Sequence, residues 1–208
     1  MHSKRPWKPL GTQNWDGEFP DGLTGAARPS ASEVASSSAN LDVPPQSSDT
    51  EAGASVLYTS DNVERLATIV QSEASAGNRI ERIAVAWTVI NRMKSSGAEH
   101  VREVERAYSR DDEPTDAMRE LAHDVLSGKQ PDPTGGCTHY YSPRSMPKEG
   151  QDTEGVDVSG GLELVPPQTQ QNYRPGWAAD EAFTYHEIPG VRPQYFRFYK
   201  ASGAGRQY

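Results

Sequence analysis

The chain has 208 residues, of which 34% are hydrophobic, and its mean hydropathy is −0.78. This length has room for one catalytic domain and a substantial appendage, and the composition is too polar for every segment to belong to a packed core. The net charge of −8 argues against a general nucleic-acid-binding protein, which normally has a basic surface. No apolar run is long enough for a membrane span, and the basic N-terminus lacks the apolar segment of a conventional secretory signal peptide.

The first 55 residues are rich in Gly, Pro, Ser, Ala and acidic side chains and have no apolar period. Such a segment cannot bury enough surface to fold alone, so we divide the chain into an arm, 1–55, and a catalytic domain, 56–208. One interpretation of the arm is a flexible tail. The interpretation that we favour is an extended arm that binds structural proteins of a larger assembly through Trp7, Trp15 and Phe19, because widely spaced aromatic side chains suit pockets on a partner.

Helical periodicity dominates the first half of the catalytic domain. Asp61 and Glu64 are spaced as a capping box at the start of the first helix. The second helix is apolar on most faces, which predicts a central position in the domain. Gly128 follows the last helix, as expected for a C-terminal cap. The predicted helical segments are 63–74, 80–94, 101–108 (short) and 115–127.

Turn-forming residues and short apolar runs dominate the second half. The polar segment 148–171 has no sustained period and predicts a long surface loop. Segments 183–188 and 194–200 read as two strands, joined through Pro189-Gly190 into a hairpin. The expected fold class is therefore α+β: a mainly helical domain with a small β-hairpin, preceded by the extended arm.

Glu73 is the candidate for proton chemistry, because of its position on the first helix. Leu66, Ile69 and Val70 form the apolar stripe of that helix, and Glu73 is the next position on it. A carboxylate on a buried face is desolvated, which raises its pKa and allows it to donate a proton near neutral pH. The alternative is a Glu at a frayed helix end that points into solvent.

Several separated motifs occur around Glu73 in an order typical of one enzyme family. Together they resemble the cell-wall hydrolase family typified by the spore-cortex-lytic enzyme SleB, over roughly residues 60 to 200. The motifs are Glu73-Ala74, the apolar helix that closes on Asn91-Arg92, the turn Gly135-Gly136-Cys137-Thr138, the pair Tyr140-Tyr141, and the terminal Phe198-Tyr199-Lys200.

The resemblance implies a lysozyme-like lytic transglycosylase that cleaves peptidoglycan between N-acetylmuramic acid and N-acetylglucosamine, with Glu73 as sole acid and base. We expect no cofactor, and no metal site, because Cys137 and His139 lie close together but no second pair has zinc-like spacing. The resemblance also implies that the segment after the Gly-Gly turn binds the glycan. Adjacent residues of an extended chain point to opposite faces, so we expect one tyrosine of the pair in the groove and one in the core. Following the resemblance, we expect Tyr141 and Ser142 to face the groove. The candidate substrate-binding residues are Thr138, His139, Tyr140, Tyr141 and Ser142.

Two other functions remain open. One is a hydrolytic muramidase that pairs Glu73 with a residue of the acidic cluster Asp111, Asp112 and Glu113, although such a cluster is more often a solvated turn. The other is a structural component of an assembly that retains a hydrolase-like domain. Without a signal peptide, the enzyme would reach the wall inside a phage particle or injection apparatus, or as an endolysin released through a holin.

The chain departs from the family pattern in two places. The loop after the catalytic Glu usually contains Gly-Glu, where this sequence has Ala76-Gly77, so an acid near the site is missing. Cys137 replaces the Ala of the Gly-Gly-Ala-Thr turn, and as the lone cysteine it cannot form an intramolecular disulfide. Both departures leave Glu73 in place, but they put rate and substrate preference in doubt.

Overall fold

The computed structural model describes residues 57–167, 169 and 171–202. The arm, with Trp7, Trp15 and Phe19, lies outside the described residues. Helices and strands occur in separate parts of the described chain, so the expected α+β class is confirmed. The elements are α1 (Ser60–Ala74), α2 (Arg79–Ser96), α3 (Asp116–Leu126), β1 (His139–Tyr141), β2 (Leu162–Leu164), β3 (Gln171–Tyr173), β4 (Phe183–His186) and β5 (Arg197–Ala201).

Helix α1 forms where its apolar period predicts, but it starts differently. The hydroxyl of Thr59 accepts a hydrogen bond from the Asn62 amide at 3.2 Å and caps the helix. The predicted capping box of Asp61 and Glu64 is therefore wrong. Both side chains instead form ion pairs of 2.9 Å, Asp61 with Arg65 and Glu64 with Arg119 of α3. A hydroxyl two residues earlier has taken the capping position, which local spacing could not decide.

Helix α2 is the core of the helical half, as its apolar composition predicts. Ten of its eighteen residues are buried, and it packs against both α1 and α3. Asn78 and Glu81 form a capping box at its start, and Gly97 ends it in a left-handed conformation with φ 72°. A helix with such caps and few exposed faces is held by both local and tertiary contacts, so it gives α1 a rigid surface to pack on.

The connection from α2 to α3 is less regular than predicted. The expected helical segment 101–108 is two separate 3₁₀ turns, Val101–Glu103 and Glu105–Ala107. Helix α3 then begins after Thr115, whose hydroxyl accepts from the amide of Met118, and Gly128 follows its end with φ 76°. The 3₁₀ turns place Tyr108 and Ser109 beside the C-terminal end of α1.

A three-stranded antiparallel sheet of order β1-β5-β4 covers one side of the helices. The predicted pairing of the last two strands is confirmed, with Tyr185 opposite Tyr199, and β1 adds to the other edge of β5 with Tyr140 opposite Phe198. The predicted loop 148–171 is only partly irregular, because it contains β2, which pairs with β3. Strands of three residues are too short for an alternation of polar and apolar side chains to be recognised in the sequence.

Strand β1 separates two clusters of buried side chains. Tyr140 packs against the helical cluster, which includes Leu66, Ile69 and Val89. Tyr141 belongs to an aromatic cluster beneath the β2–β3 segment, whose buried members are Tyr141, Met146, Ala178, Phe183 and Tyr199. Within the described residues, no helix has the length and the apolar character that crossing a bilayer would require.

Candidate functional site

A cavity of about 310 Å³ opens where the two clusters meet. Three parts of the chain form it: the helical half, strand β1 with the residue before it, and the segment between β1 and β4. We call the last of these the loop wall, and it consists of Met146, Val156, Asp157, Pro175 and Trp177. The helical half contributes Glu73, Arg92, Ala107 and Tyr108, and the strand contributes Thr138, His139 and Tyr140.

Glu73 lies in the last turn of α1 and turns its carboxyl group into the cavity. The backbone amide of Ser109 donates to Oε1 at 2.6 Å, and the hydroxyl of Tyr140 donates to Oε2 at 2.7 Å. Burial raises the pKa of Glu73 to about 7, although both hydrogen bonds favour the ionised form and lower it. The frayed, solvent-facing alternative is therefore wrong. The group exchanges a proton near neutral pH from a fixed orientation.

Tyr140 holds one oxygen of Glu73 and is itself held on both faces. Its ring lies 6.4 Å from that of Tyr108 and 5.6 Å from that of Phe198. Burial and the neighbouring Glu73 raise the pKa of Tyr140 well above its ordinary value, so its hydroxyl remains a donor. The geometry fixes the carboxyl group from two sides, by the Ser109 amide and this hydroxyl.

The two tyrosines of the pair point to opposite faces, as strand alternation predicts, but their assignment to groove and core is reversed. Tyr141 is fully buried, and its hydroxyl donates to Glu163 of β2 at 2.8 Å. The expectation that Tyr141 faces the groove is wrong, because the pairing of β1 with β5 turns Tyr140 toward α1. Ser142 lies at the next turn, where its hydroxyl accepts from Ser145, and it does not contribute to the cavity lining.

His139 and Thr138 do line the cavity, as two of the candidate binding residues. Burial, with a further contribution from Arg92, lowers the pKa of His139 to about 4. Its Nδ1 lies 2.8 Å from the Thr138 hydroxyl, and its ring meets Phe183 edge-on at 4.7 Å. A neutral imidazole in this setting can hydrogen-bond a ligand, but it is not an acid near neutral pH.

The loop wall was not predicted from the sequence. It depends on the turn 157–159, which packs on residues 174–177. The carboxylate of Asp157 accepts from the amide and hydroxyl of Ser159, at 3.0 and 2.6 Å, and from the amide of Gly176 at 2.7 Å. A Cβ atom on Gly176 would lie 1.9 Å from the Ser159 hydroxyl, so a larger residue there would displace the Ser159 side chain that bonds to Asp157. The turn places Trp177 at the cavity, 5.4 Å from the ring of His139. The Asp-x-Ser and Pro-Gly-Trp sequences were the available signals.

The other carboxylates near the site have different environments. Asp111, Asp112 and Glu113 are exposed and contribute nothing to the cavity lining, although the Asp112 amide donates to Ser72 on α1. Asp157 does line the cavity. Burial alone would raise the pKa of Asp157, but the Ser159 hydroxyl and the surrounding amides hold it below its usual range. Glu73 and Asp157 therefore line the same cavity with opposed pKa shifts, raised for Glu73 and lowered for Asp157.

Asn91, at the end of the apolar-helix motif, connects α2 to the segment that contains the Gly-Gly-Cys-Thr turn. Its side-chain amide lies within hydrogen-bond distance of Asp132, Thr134 and the carbonyl of Cys137, at 3.0, 3.1 and 3.2 Å. The Gly-Gly-Cys-Thr turn is thereby tied to α2, and β1 starts from a fixed point. Cys137 is fully buried, and burial raises the pKa of its thiol to about 12, so it is a neutral packing group.

The other departure from the family pattern, Ala76-Gly77, lies beside an ion pair. Arg192, which precedes β5, donates to Glu81 of α2 at 2.6 Å, and Glu81 is fully buried. Arg192 also reaches the carbonyl of Ala76 at 3.4 Å. This loop has no acidic residue of its own, and the buried carboxylate of Glu81 beside it serves to hold α2.

Residues 57–167, 169 and 171–202 contain no group of three or more His, Cys, Asp or Glu side chains arranged to hold a metal ion. No protein-family model, curated protein or solved structure matches the chain.

Proposed function

We propose that this chain is a peptidoglycan lytic transglycosylase with a lysozyme-like catalytic domain. One observation carries the proposal: Glu73 is a half-buried residue whose carboxyl group faces a cavity of about 310 Å³, and burial raises its pKa to about 7. The order of sequence motifs that resembles the cell-wall hydrolase family supplies the substrate class. The proposed bond is the glycosidic bond between N-acetylmuramic acid and N-acetylglucosamine.

The reaction needs one group that first donates and then accepts a proton. Protonated Glu73 donates to the glycosidic oxygen as that bond breaks, and it becomes a carboxylate. The carboxylate then takes the proton of the sugar's own 6-hydroxyl, whose oxygen bonds to the anomeric carbon and closes a 1,6-anhydro ring. The Ser109 amide and the Tyr140 hydroxyl stabilise the carboxylate between the two steps. Glu73 ends protonated, and no water is consumed.

The cavity lining suits sugar rings. The ring of Trp177 offers an apolar face for stacking, while Thr138, His139 and Tyr140 offer hydrogen-bonding groups beside it. Tyr141 does not line the cavity but supports Trp177, because the two rings pack edge-on with their centroids 5.9 Å apart. In the proposed enzyme, Thr138, His139 and Tyr140 contact substrate directly, and Tyr141 and Ser142 support the segment that carries them.

The product identifies the reaction. Mass spectrometry of digested peptidoglycan should show anhydro-muropeptides, each lighter by one water than the hydrolysed counterpart. Products with reducing ends would instead establish hydrolysis. In that case Asp157 is the first candidate for a second carboxylate, because it lines the same cavity whereas Asp111, Asp112 and Glu113 do not. An intact wall under all conditions would leave the chain as a structural component.

The rate should depend on pH through Glu73. The acid form is needed for the first step, so activity should fall as the pH rises through about 7. The Tyr140→Phe variant lacks a donor that lowers the pKa of Glu73, so its alkaline limb should move to higher pH. A rate profile between pH 5 and pH 9 measures both. An unshifted limb in Tyr140→Phe would contradict this assignment.

The last part of the proposal concerns the arm. We propose that residues 1–55, through Trp7, Trp15 and Phe19, bind structural proteins of a phage particle or injection apparatus that delivers the enzyme to the cell wall. Deletion of 1–55 should leave a soluble enzyme that cleaves purified wall but no longer co-purifies with particles. Normal incorporation of the truncated chain would reduce the arm to a flexible tail, and release through a holin would then be the better route.

A further inference from the structure

Arg92 brings a positive charge into the cavity. Its side chain lines the cavity, and its guanidinium group lies over the ring of Tyr108, 5.4 Å from the centroid. Among the described residues, Arg92 has no hydrogen bond or ion pair through this group. The protein as a whole has a net charge of −8, so carboxylates are abundant elsewhere. A planar cation with unused donors in a ligand-sized cavity suits a carboxylate ligand.

The carboxylates of the cavity already have other partners. Glu73 accepts from the Ser109 amide and the Tyr140 hydroxyl. Asp157 accepts from Ser159 and Gly176. Neither is paired with Arg92. The cation is close enough to the strand to lower the pKa of His139, after the larger effect of burial. Arg92 is therefore placed to act on whatever occupies the space between Glu73 and His139.

We infer that Arg92 binds a carboxylate borne by the sugar itself, namely the lactyl group of a muramic acid whose stem peptide has been removed. This inference rests on the proposed function, since it names the form of glycan that the same site takes. A cavity of about 310 Å³ lies at the lower end of ligand-pocket sizes. Because each residue of an extended peptide spans about 3.3 Å, carboxylates further along a stem peptide lie well away from the sugar ring. The lactyl carboxylate is on the ring.

The inference assigns the enzyme a place in a reaction sequence. In intact peptidoglycan the lactyl group is an amide and has no charge. A hydrolase that cleaves the amide bond between the lactyl group and the stem peptide must act first, because it creates the carboxylate that Arg92 binds.

The test compares two glycan strands that differ in one charge. One is a strand freed of stem peptides by an amidase, and the other is the same strand after its lactyl carboxylates are converted to methylamides. The full chain with Glu73→Gln binds them without cleavage, and calorimetry gives the two dissociation constants. We expect the carboxylate strand to bind about tenfold more tightly, as for a charge-assisted hydrogen bond. The preference should shrink as salt concentration rises.

Variants then assign the preference to one residue. Arg92→Gln should abolish it, and Arg92→Lys should retain part of it. The matched control is Lys94→Gln, which removes another cation of the same helix that lies over an aromatic ring, that of Trp87, outside the cavity. Lys94→Gln should keep the full preference.

Two results overturn the inference alone: equal binding of both strands by the parent protein, or an equal loss of both strands in Arg92→Gln, which would make Arg92 a packing group. If neither strand binds and no wall preparation is cleaved, the proposed function itself fails. If neither strand binds but anhydro-muropeptides are still released from intact wall, the function stands and the inference is wrong.

Discussion

Replacing Glu73 by Gln should lower the rate of peptidoglycan cleavage by about 10²–10⁴-fold, the usual contribution of a general acid–base group. Glutamine has nearly the same shape, but its one carbonyl oxygen can replace only one of the two carboxylate oxygens that accept from Ser109 and Tyr140, and it cannot donate a proton to a leaving oxygen. Release of soluble muropeptides from purified wall measures the rate.

The control for this prediction is Glu64→Gln, a change of the same kind on the same helix. Glu64 is 51% exposed and pairs with Arg119, away from the cavity. The Glu64→Gln variant should cleave at the parent rate, and both variants should give the circular dichroism spectrum of the parent protein. Cleavage at the parent rate by Glu73→Gln would remove Glu73 from the mechanism.

The second large effect concerns stability. Changing Glu81 to Gln should lower the free energy of unfolding by about 3 kcal/mol, because it leaves Arg192 without its buried partner. Glu81 is fully buried, accepts from the Arg192 side chain at 2.6 and 2.9 Å, and caps α2 through the amide of Asn78. Thermal unfolding should show a Tm lower by roughly 10 °C. The comparison pair is Glu64 with Arg119, both partly exposed, whose loss should cost only about 0–1 kcal/mol.

The pH dependence of stability gives an independent check on Glu81. Burial alone would raise the pKa of Glu81, but the hydrogen bonds from Arg192 and the Asn78 amide hold it below its usual range. A carboxyl group with a lowered pKa stabilises the fold at pH values above its unfolded pKa, and this contribution is lost as the pH falls through its folded pKa. The stability difference between the parent and Glu81→Gln should therefore narrow in acid. A constant difference from pH 7 to pH 3 would mean that packing, not charge, accounts for the loss.

Periodicity was sufficient to predict the three α-helices and the inward position of Glu73, but not the two 3₁₀ turns between α2 and α3. Leu66, Ile69 and Val70 define a face of α1 whose next position is Glu73, and these three apolar side chains are fully buried. Strand alternation likewise separated Tyr140 from Tyr141. It could not say which of the two faces α1, because alternation fixes only that neighbours differ, and the face is chosen by how β1 pairs with β5.

The loop wall could not be derived from local pattern at all. Asp157, Gly176 and Trp177 come together through hydrogen bonds between segments almost twenty residues apart, and neither segment has a period. Likewise, Thr59 and Asp61 are both residue types that cap helices, and they lie only two positions apart. The sequence alone could not decide which of them starts α1, and in the structure it is Thr59. The role of Asn91 needed the tertiary structure, because its three partners lie more than forty residues away.

The alternation of β1 has an evolutionary consequence. Tyr140 belongs to the helical cluster that holds the acid, whereas Tyr141 belongs to the aromatic cluster under the loop wall. The surroundings of Glu73 and the loop wall are therefore encoded by separate stretches of sequence that meet at one strand. Insertions or replacements between β1 and β4 can therefore reshape the loop wall while Glu73 keeps its hydrogen-bond partners, Ser109 and Tyr140. In the proposed enzyme, chimaeras exchanged between β1 and β4 would take the loop wall from the donor and would keep the recipient's Glu73, Tyr140 and Arg92.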